Sequence, residues 1–301
     1  AEDALASITG VPNYVNAAVP FFFLAIAVEL LVAVCRGHTS LYRWTEVIAS
    51  LNMGIAQQLS GIWYRSLTIG PYIYLFRHYR WTTLAENTLE MHVLTLLLVD
   101  LGYYWFHRYA HEFHVIWAGH SVHHSGEDYN LATALRQGAL QPVFSWLVYL
   151  PLALLGIPPA LFMAHSQWNT LGQFWFHTSE VGRLGILEYI LNTPAHHRMH
   201  HRPPGNCNYG GILIIYDKLF GTFVPEDEQA DHYGLAKQLN SFDPIEANTS
   251  HLKRMRNIHC TTLPAEEGVS SLWRTASRLF SRRVKHAFVF HPWALLEERP
   301  S

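Results

Sequence analysis

The sequence is poor in charge and in cysteine. Only 15% of its 301 residues are charged and the formal net charge is −2, so no basic field indicates binding to nucleic acid. Its three cysteines are odd in number and widely spaced, without a CxxC pair, which excludes a disulfide framework and favours a reducing compartment. A GxSxG motif is also missing, which argues against a nucleophilic hydrolase. Apolar residues instead make up 50% of the chain, and this balance predicts a membrane protein.

Long apolar runs predict membrane-spanning helices. The run at 16–34 contains one charge, Glu29, and is long enough to cross the hydrocarbon core; the acidic segment before it argues against a cleaved signal peptide. A second run covers 89–106, and 142–176 can hold two helices with a turn at GIPP. Glycines and polar residues interrupt 47–75, which fits either an interfacial or re-entrant pair of helices or a further span. We therefore expect an all-α, polytopic membrane protein with about four transmembrane helices.

The composition changes beyond residue 225. The segments LKRMRN and SRRVKH are basic, and the positive-inside rule assigns such lysine and arginine enrichment to the cytosolic side. We expect one integral membrane domain over 1–301, in which 16–225 contain the membrane helices and a histidine-rich helical cap with a dimetal site. Residues 226–301 are expected to form a polar, basic, cytosol-facing tail.

Histidine is unusually frequent, with 20 copies, and three groups of histidines have the spacing of metal ligands on a helix. These groups read HxxxH from His107, HxxHH from His120 and HHxxHH from His196, the last on a short helix that starts at Pro194 with Thr193 as its N-cap. Residues three and four apart share one helical face, so each group is expected to converge on a metal. The predicted metal ligands are His107, His111, His120, His123, His124, His177, His196, His197, His200 and His201. The residues expected to be catalytic are His107, His111, His120, His123, His124, His200 and His201.

Metal coordination also explains why so many imidazoles lie together, since crowded imidazoles lose solvation and repel one another when protonated. Four ligands complete one zinc site, so ten candidates predict two metal ions. The scarcity of cysteine excludes thiolate sites and leaves zinc, copper, iron or nickel. At a membrane surface with few carboxylates, we expect activation of dioxygen on an apolar substrate rather than hydrolysis.

Three further residues are assigned from their positions in these helices. Asp100 lies on the stripe of His107 and His111 and is expected to accept an imidazole N–H and fix its tautomer, with an arginine or a backbone donor as the alternative partner. His177 ends an apolar helix, as His107 does, and is therefore counted as a ligand. His114 lies off the stripe and is not counted.

The three histidine groups together resemble the eight-histidine pattern of the membrane fatty acid hydroxylase and sterol desaturase superfamily. Within it, the segments YYWFHRYAHE, WAGHSVHHSGEDYNLATALRQG, LNTPAHHRMHH and NYGGILIIYDKLFGTF are most similar to the tetrahydrobiopterin-dependent enzymes that cleave ether lipids. The similarity covers residues 47–252. One departure is the short segment RPPGNCNYGG, which lacks the lysine that relatives carry before NYGG.

This resemblance implies two iron ions in a cap on the cytosolic side of the endoplasmic reticulum membrane, or at the inner membrane of a bacterium. O2 and tetrahydrobiopterin would hydroxylate the ether-bearing carbon of a 1-O-alkylglycerol from the bilayer, and the resulting hemiacetal would break down to a fatty aldehyde and glycerol. The resemblance also implies that Glu112 binds the pterin, with a simple ion pair to an arginine as the alternative. A pterin-recycling reductase would be an indirect partner.

Two other functions share part of these features. A sterol desaturase or lipid hydroxylase would use the same di-iron site with a cytochrome b5-type electron donor, although HSGEDYN and TALRQG favour the pterin user. A histidine-rich metal transporter would carry its ligands within the spans or in low-complexity loops. Here the histidines follow helix ends at regular spacing, which favours an enzyme.

Overall fold

The protein is built from helices. A computed structural model describes residues 10–84, 88–227 and 232–262, and within them the regular structure is helical apart from one isolated β-bridge between Leu191 and Leu213. The all-α prediction is therefore confirmed for the described residues. Their ten α-helices are α1 (Tyr14–Arg36), α2 (Trp44–Tyr79), α3 (Leu89–Glu112), α4 (His114–His120), α5 (Gln141–Ser145), α6 (Leu150–Leu154), α7 (Pro159–Gly172), α8 (Pro194–His201), α9 (Ile215–Phe220) and α10 (Pro244–Thr262).

Helix α1 contains the first predicted span. Among the described residues it is the one helix that is long and apolar enough to cross a membrane. Its side chains Phe21 and Leu31 are 68% and 62% exposed, as contact with lipid would require. The helix ends at Gly37, whose left-handed backbone has φ +78°, a conformation that costs glycine little.

The single acid of α1, Glu29, faces the protein instead. Its side chain is buried and accepts hydrogen bonds from the backbone N–H of Leu131 and from the hydroxyl of Thr178. Leu131 follows the HxxHH group and Thr178 directly follows His177. These bonds attach α1 to two of the segments that carry histidines.

Residues 47–75 lie within one helix, α2, which is 36 residues long. The alternative of two interfacial or re-entrant helices is therefore wrong. Gly54 has a packing reason, because a Cβ there would lie 2.5 Å from the carbonyl oxygen of Leu135. Ile62 and Trp63 are 71% and 82% exposed, so one side of α2 presents an apolar surface to its surroundings.

Helix α3 contains the run 89–106 and continues to Glu112. The hydroxyl of Thr88 caps its N-terminus by accepting a backbone hydrogen bond. The run 142–176 divides at GIPP as predicted, where Gly156 has φ +89°. Before this turn a 3₁₀ segment, Trp146–Tyr149, joins α5 and α6 into one apolar helical stretch, Gln141–Leu154, which is shorter than a span. A count of four transmembrane helices therefore stays a prediction.

The packing places α3 at the centre of the fold. It contacts α4, α7 and α9, while α2 packs against α6 and α1 against α7. The buried side chains that join these helices include Tyr72, Met91, Val99, Leu152 and Ile157. The C-terminal end of α3, with its HxxxH motif, is thereby held next to α4, which begins the second histidine group.

The predicted tail is described only in part. Helix α10 packs against α4 and α2, and its His251 stacks on His114 of α4 with 5.5 Å between ring centroids. His114 is thus occupied in helix packing, in agreement with its omission from the predicted ligands. The basic segment SRRVKH and the rest of 263–301 lie outside the described residues.

Candidate metal centre

Nine buried histidines form two sets in which one nitrogen from each member lies within 4.8 Å of the others. Neither set includes a carboxylate or a cysteine. The five-histidine set consists of His107, His111, His120, His124 and His200. The four-histidine set consists of His123, His177, His197 and His201.

The HxxxH pair behaves as its spacing predicts. His107 and His111 lie one turn apart at the end of α3, both fully buried, and both belong to the five-histidine set. A separation of four residues turns the helix by about 40° relative to a full circle. The two rings therefore point in nearly the same direction.

The HxxHH group is divided between the sets, so the expectation that its three histidines converge is wrong. Helix α4 ends at His120, and the backbone continues through a separate 3₁₀ turn, His123–Ser125. His120 and His124 then face the five-histidine set, whereas His123 faces the other. The break after α4 makes this division possible.

The HHxxHH group also differs from the prediction. It lies on α8, which begins at Pro194 as expected, although Thr193 makes no side-chain capping bond. His200 joins the five-histidine set, while His197 and His201 join the four-histidine set.

His196 belongs to neither set, so its assignment as a ligand needs correction. It lies one turn before His200 on α8, but its ring packs edge-on against Phe223 instead of joining the five-histidine set. The prediction that His177 is a ligand agrees with the geometry, because His177 Nε2 lies 3.0 Å from His197 Nε2 and 3.2 Å from His123 Nε2.

Hydrogen bonds fix the tautomers of several of these rings. In the five-histidine set, Nδ1 of His107 lies 2.9 Å from the carbonyl oxygen of Tyr209, and Nδ1 of His120 lies 3.0 Å from Gln141 Oε1. Because an oxygen of this kind only accepts, each Nδ1 must carry the proton. The two Nε2 atoms, which lie 2.9 Å apart, then present lone pairs to each other.

The same arrangement occurs in the four-histidine set. Nδ1 of His123 donates to the carbonyl oxygen of Arg136 at 3.0 Å, and Nδ1 of His177 donates to that of Gln173 at 2.8 Å. The Nε2 atoms of this pair, 3.2 Å apart, again carry lone pairs. Facing lone pairs repel each other unless a cation lies between them.

A proton does not bridge these facing Nε2 atoms, because the rings stay neutral. Burial lowers the pKa of His120 to about 4 and that of His200 to about 3, so both rings are neutral at physiological pH. Two nitrogens bound at right angles about 2.1 Å from one metal would lie about 3.0 Å apart, close to the spacing of these pairs. The residues present therefore fit one metal ion per set.

Asp100 does not contact a histidine. Its buried carboxylate accepts hydrogen bonds from the side chain of Asn169 and from the backbone N–H groups of Ile212 and Leu213. The alternative of a backbone partner is the correct one. The reason is that the NYGG loop packs against this turn of α3 and brings two free N–H groups to the carboxylate.

Glu112 is paired with an arginine. Arg108 Nε donates to Glu112 Oε1 at 2.7 Å, one turn earlier on α3. Arg108 also contacts the hydroxyl of Tyr104. The arginine partner that we considered for Glu112 is therefore present, and binding of a cofactor by Glu112 stays a prediction.

A cavity of about 400 Å³ leads to both histidine sets. Its walls come largely from the apolar faces of α1 and α2, including Phe22, Phe23 and Leu51, and no Asp, Glu, Lys or Arg lines it in the described part of the chain. His120 of one set and His123 and His177 of the other form part of its lining. The cavity therefore adjoins both candidate metal sites.

Several residues that orient the ligands escaped prediction. Backbone carbonyls of Arg136, Cys207, Tyr209 and Gln173 accept hydrogen bonds from ligand imidazoles. Sequence spacing carries no signal for a carbonyl partner. Arg136 and Tyr209 do lie in the segments TALRQG and NYGG, which carry the family resemblance. That resemblance was the one sequence signal for these two carbonyl partners.

Comparison with known proteins shows the family of this chain. A family model for fatty acid hydroxylase matches residues 92–222. The alkylglycerol monooxygenase of Homo sapiens is 44% identical over 254 residues, which cover 83% of this chain and 57% of that protein. That of Danio rerio is 45% identical over 245 residues, or 80% and 54% of the two chains. An ornithine lipid hydroxylase of Rhizobium tropici is 36% identical over 135 residues, or 44% and 41%.

The chain spans about half the length of the curated alkylglycerol monooxygenases that it matches, and no solved structure matches it significantly. All nine histidines of the two sets lie inside the segment that the family model matches. The resemblance indicated by the histidine spacing is thus confirmed by identity over four-fifths of this chain: the chain belongs to the fatty acid hydroxylase family.

Proposed function

We propose that this chain is the catalytic part of a tetrahydrobiopterin- and O2-dependent monooxygenase of ether lipids. It would hydroxylate the ether-bearing carbon of a 1-O-alkylglycerol, and the hemiacetal so formed would break down to a fatty aldehyde and glycerol. The observation that carries the proposal is the uncharged cavity that meets both histidine sets. The names of its relatives give the substrate class.

The two histidine sets would hold two iron ions, which would supply the activation of O2. Imidazole is a suitable ligand for iron, and the backbone carbonyl partners described above keep Nε2 of four of these histidines free for coordination, namely His107, His123, His177 and His200. The residues proposed as ligands are His107, His111, His120, His124 and His200 for one ion and His123, His177, His197 and His201 for the other.

The cavity would orient the lipid. Its apolar walls on α1 and α2 suit an alkyl chain that enters from the bilayer, and the amides of Gln57, Gln58 and Gln137 in its lining can hydrogen-bond to glycerol hydroxyls. With the chain held along α1 and α2, the ether carbon would lie at the end formed by His120 and His123. The same apolar walls would exclude bulk water from the reacting carbon.

Glu112 is the candidate contact for the pterin. It is 37% exposed at the side chain, so its second carboxylate oxygen can accept hydrogen bonds from a ring such as a pterin while Arg108 holds the first. A pterin-recycling reductase would act on the released cofactor and need not bind this chain.

The membrane arrangement follows from the same proposal. We infer four transmembrane helices within 16–225, the histidine cap on the cytosolic side of the endoplasmic reticulum membrane, and the tail 226–301 in the cytosol. In a bacterial source the membrane would be the inner membrane. The exposed apolar faces of α1 and α2 support contact with lipid.

A cofactor exchange tests the function. Purified protein in lipid vesicles should contain about two iron ions and release fatty aldehyde from a 1-O-alkylglycerol only when tetrahydrobiopterin and O2 are both supplied. Full turnover with a reduced cytochrome b5-type donor and no pterin would instead establish the sterol desaturase or lipid hydroxylase alternative.

Ligand variants test the site. His200→Ala should abolish turnover and lower the iron content, because loss of one ligand undermines a metal site. His78→Ala is the matched control, since His78 is exposed on α2 and outside both sets. Normal iron content in the His200 variant would contradict its assignment.

A Glu112 variant tests the pterin contact. Glu112→Gln should raise the KM for the pterin without changing the iron content.

A further inference from the structure

We propose that Asp217 is a positioning residue for the metal ligand His107 and acts on it through a peptide bond. The inference rests on the proposed metal centre. It concerns the Tyr209–Gly210 peptide, which lies between the Asp217 carboxylate and the His107 ring.

The contacts on the two sides of this peptide define the arrangement. Gly210 donates its N–H to Asp217 Oδ2 at 2.7 Å, and the carbonyl oxygen of Tyr209, on the same peptide, accepts from His107 Nδ1 at 2.9 Å. Tyr209 also donates its own N–H to Asp217 Oδ1 at 2.7 Å. The carboxylate thereby fixes the peptide plane, and the peptide fixes the ring.

Hydrogen bonds in such a series strengthen one another. A carboxylate that accepts from a peptide N–H forms a charge-assisted bond and polarises the peptide, so that its carbonyl oxygen becomes a better acceptor. The stronger pull on the Nδ1 proton makes Nε2 of His107 more electron-rich. Metal-bound histidines commonly receive this effect from a carboxylate in direct contact; here one peptide unit intervenes.

The charge on Asp217 supports this role. The side chain is fully buried and accepts a further hydrogen bond from the hydroxyl of Thr222 at 2.7 Å, yet no ion pair to it occurs within the described residues. A buried carboxylate without a cation is costly. A metal ion at His107 would provide the compensating positive charge.

The local sequence is suited to this close approach. A Cβ on residue 210 would lie 2.4 Å from the carbonyl oxygen of Leu213 and 2.9 Å from Asp217 Oδ2, so only glycine lets the carboxylate reach the peptide. Asn208 before it has φ +53°, and its amide binds the carbonyl oxygens of His196 and Val224. NYGG is therefore a loop built around the peptide that His107 binds.

A second buried acid provides the matched control. Asp100 binds the same loop, but through the N–H groups of Ile212 and Leu213, and it does not contact the Tyr209–Gly210 peptide. Asp100→Asn on α3 and Asp217→Asn on α9 are both isosteric losses of one buried charge that binds the segment 209–213. A purely structural role predicts similar effects for both, whereas the proposed role predicts a difference at His107.

The experiment measures Co2+ affinity at each site, by chelator competition on the full chain in lipid vesicles. One background carries His123→Ala and His201→Ala and reports on the five-histidine set, and the other carries His111→Ala and His124→Ala and reports on the four-histidine set. Asp217→Asn should weaken Co2+ binding about 10- to 100-fold in the first background and leave the second unchanged. Asp100→Asn should not lower the Co2+ affinity of one set more than that of the other.

Each other outcome has a meaning. Equal losses in both backgrounds, or no loss in the first, would overturn the role of Asp217, whereas absence of Co2+ binding in both backgrounds before Asp217 is changed would overturn the proposed metal centre instead. If Asp217→Asn does not fold, Asp217→Glu keeps the charge but displaces it from Gly210 N–H. Asp217→Glu should still lower the Co2+ affinity of the five-histidine set more than that of the four-histidine set. An equal fold-loss of affinity in the two backgrounds would refute the inference.

Discussion

The strongest test of how the histidine cap is held together concerns Arg136. This side chain is 1% exposed, and its Nη1 lies 2.8 Å from Glu46 Oε2 on α2. Its Nε donates to the hydroxyl of Ser125 at 2.9 Å, and its carbonyl oxygen accepts from His123. Arg136 thus joins α2 to the 3₁₀ turn that carries two ligands.

Arg136→Met should remove the ion pair and leave Glu46 buried without its partner. Loss of one member of a buried pair costs about 3–5 kcal/mol. Arg43, half exposed and 4.0 Å from Glu46, can offset only a small part. At about 2–4 °C per kcal/mol for a chain of this size, thermal unfolding of the metal-free protein should begin roughly 6–20 °C lower.

Two further variants separate the buried charge from the general effect of mutation. Glu46→Leu combined with Arg136→Met leaves no unpaired charge and should unfold well above the single variant. Lys253→Met breaks the exposed pair with Glu246 and should cost less than about 1 kcal/mol. An Arg136 variant that unfolds within about 2 °C of the wild-type protein, or above the double variant, would refute the reasoning.

Three other predictions follow from buried residues. Burial lowers the pKa of His251 to about 3 from 6.5. Below pH 6.5 the unfolded chain binds a proton that the folded chain excludes, so the free energy of unfolding should decrease as the pH is lowered, by roughly 2 kcal/mol at pH 5. Denaturant titrations of His251→Phe should lack this share of the pH dependence. Gly211→Ala would bring a Cβ to 2.4 Å from Asp100 Oδ1 and should lower the free energy of unfolding by about 1–3 kcal/mol, whereas Gly182→Ala meets no atom within 4 Å and should not. Ala134→Phe would fill the cavity that Ala134 lines, so kcat/KM for long alkyl chains should fall while iron content is unchanged; equal losses for short and long chains would contradict this.

The sequence predicts local features of the site well. The HxxxH pair follows from its four-residue spacing, which is close to the 3.6-residue turn of α3, and the start of α8 follows from Pro194, because both depend on one helix alone. The division of His120 and His123 between two sets depends on where α4 ends against its neighbours. The spacing also predicts His196 as a ligand, because it lies one turn from His200, but its packing against Phe223 depends on a loop that the spacing does not describe.

Long-range contacts explain the remaining differences. Asp100 shares a stripe with His107, yet its partners are N–H groups from a loop more than 100 residues later, which periodicity cannot reveal. Residues 47–75 contain glycines that suggest a break, but packing such as that of Gly54 on Leu135 keeps α2 continuous.

In the part of the chain that the structure describes, both histidine sets lack a carboxylate ligand. Di-iron proteins of the four-helix-bundle type place carboxylates directly on their metals, whereas both sets here consist of neutral imidazoles, whose own partners include neutral carbonyl groups. Two bound metal ions would keep nearly their full positive charge. The negative charges nearest in the hydrogen-bond network act through an intermediate group: Asp217 through a peptide, and Glu46 through Arg136. The proposed metal ions would therefore be the main charges at the end of a cavity that no Asp, Glu, Lys or Arg lines among the described residues.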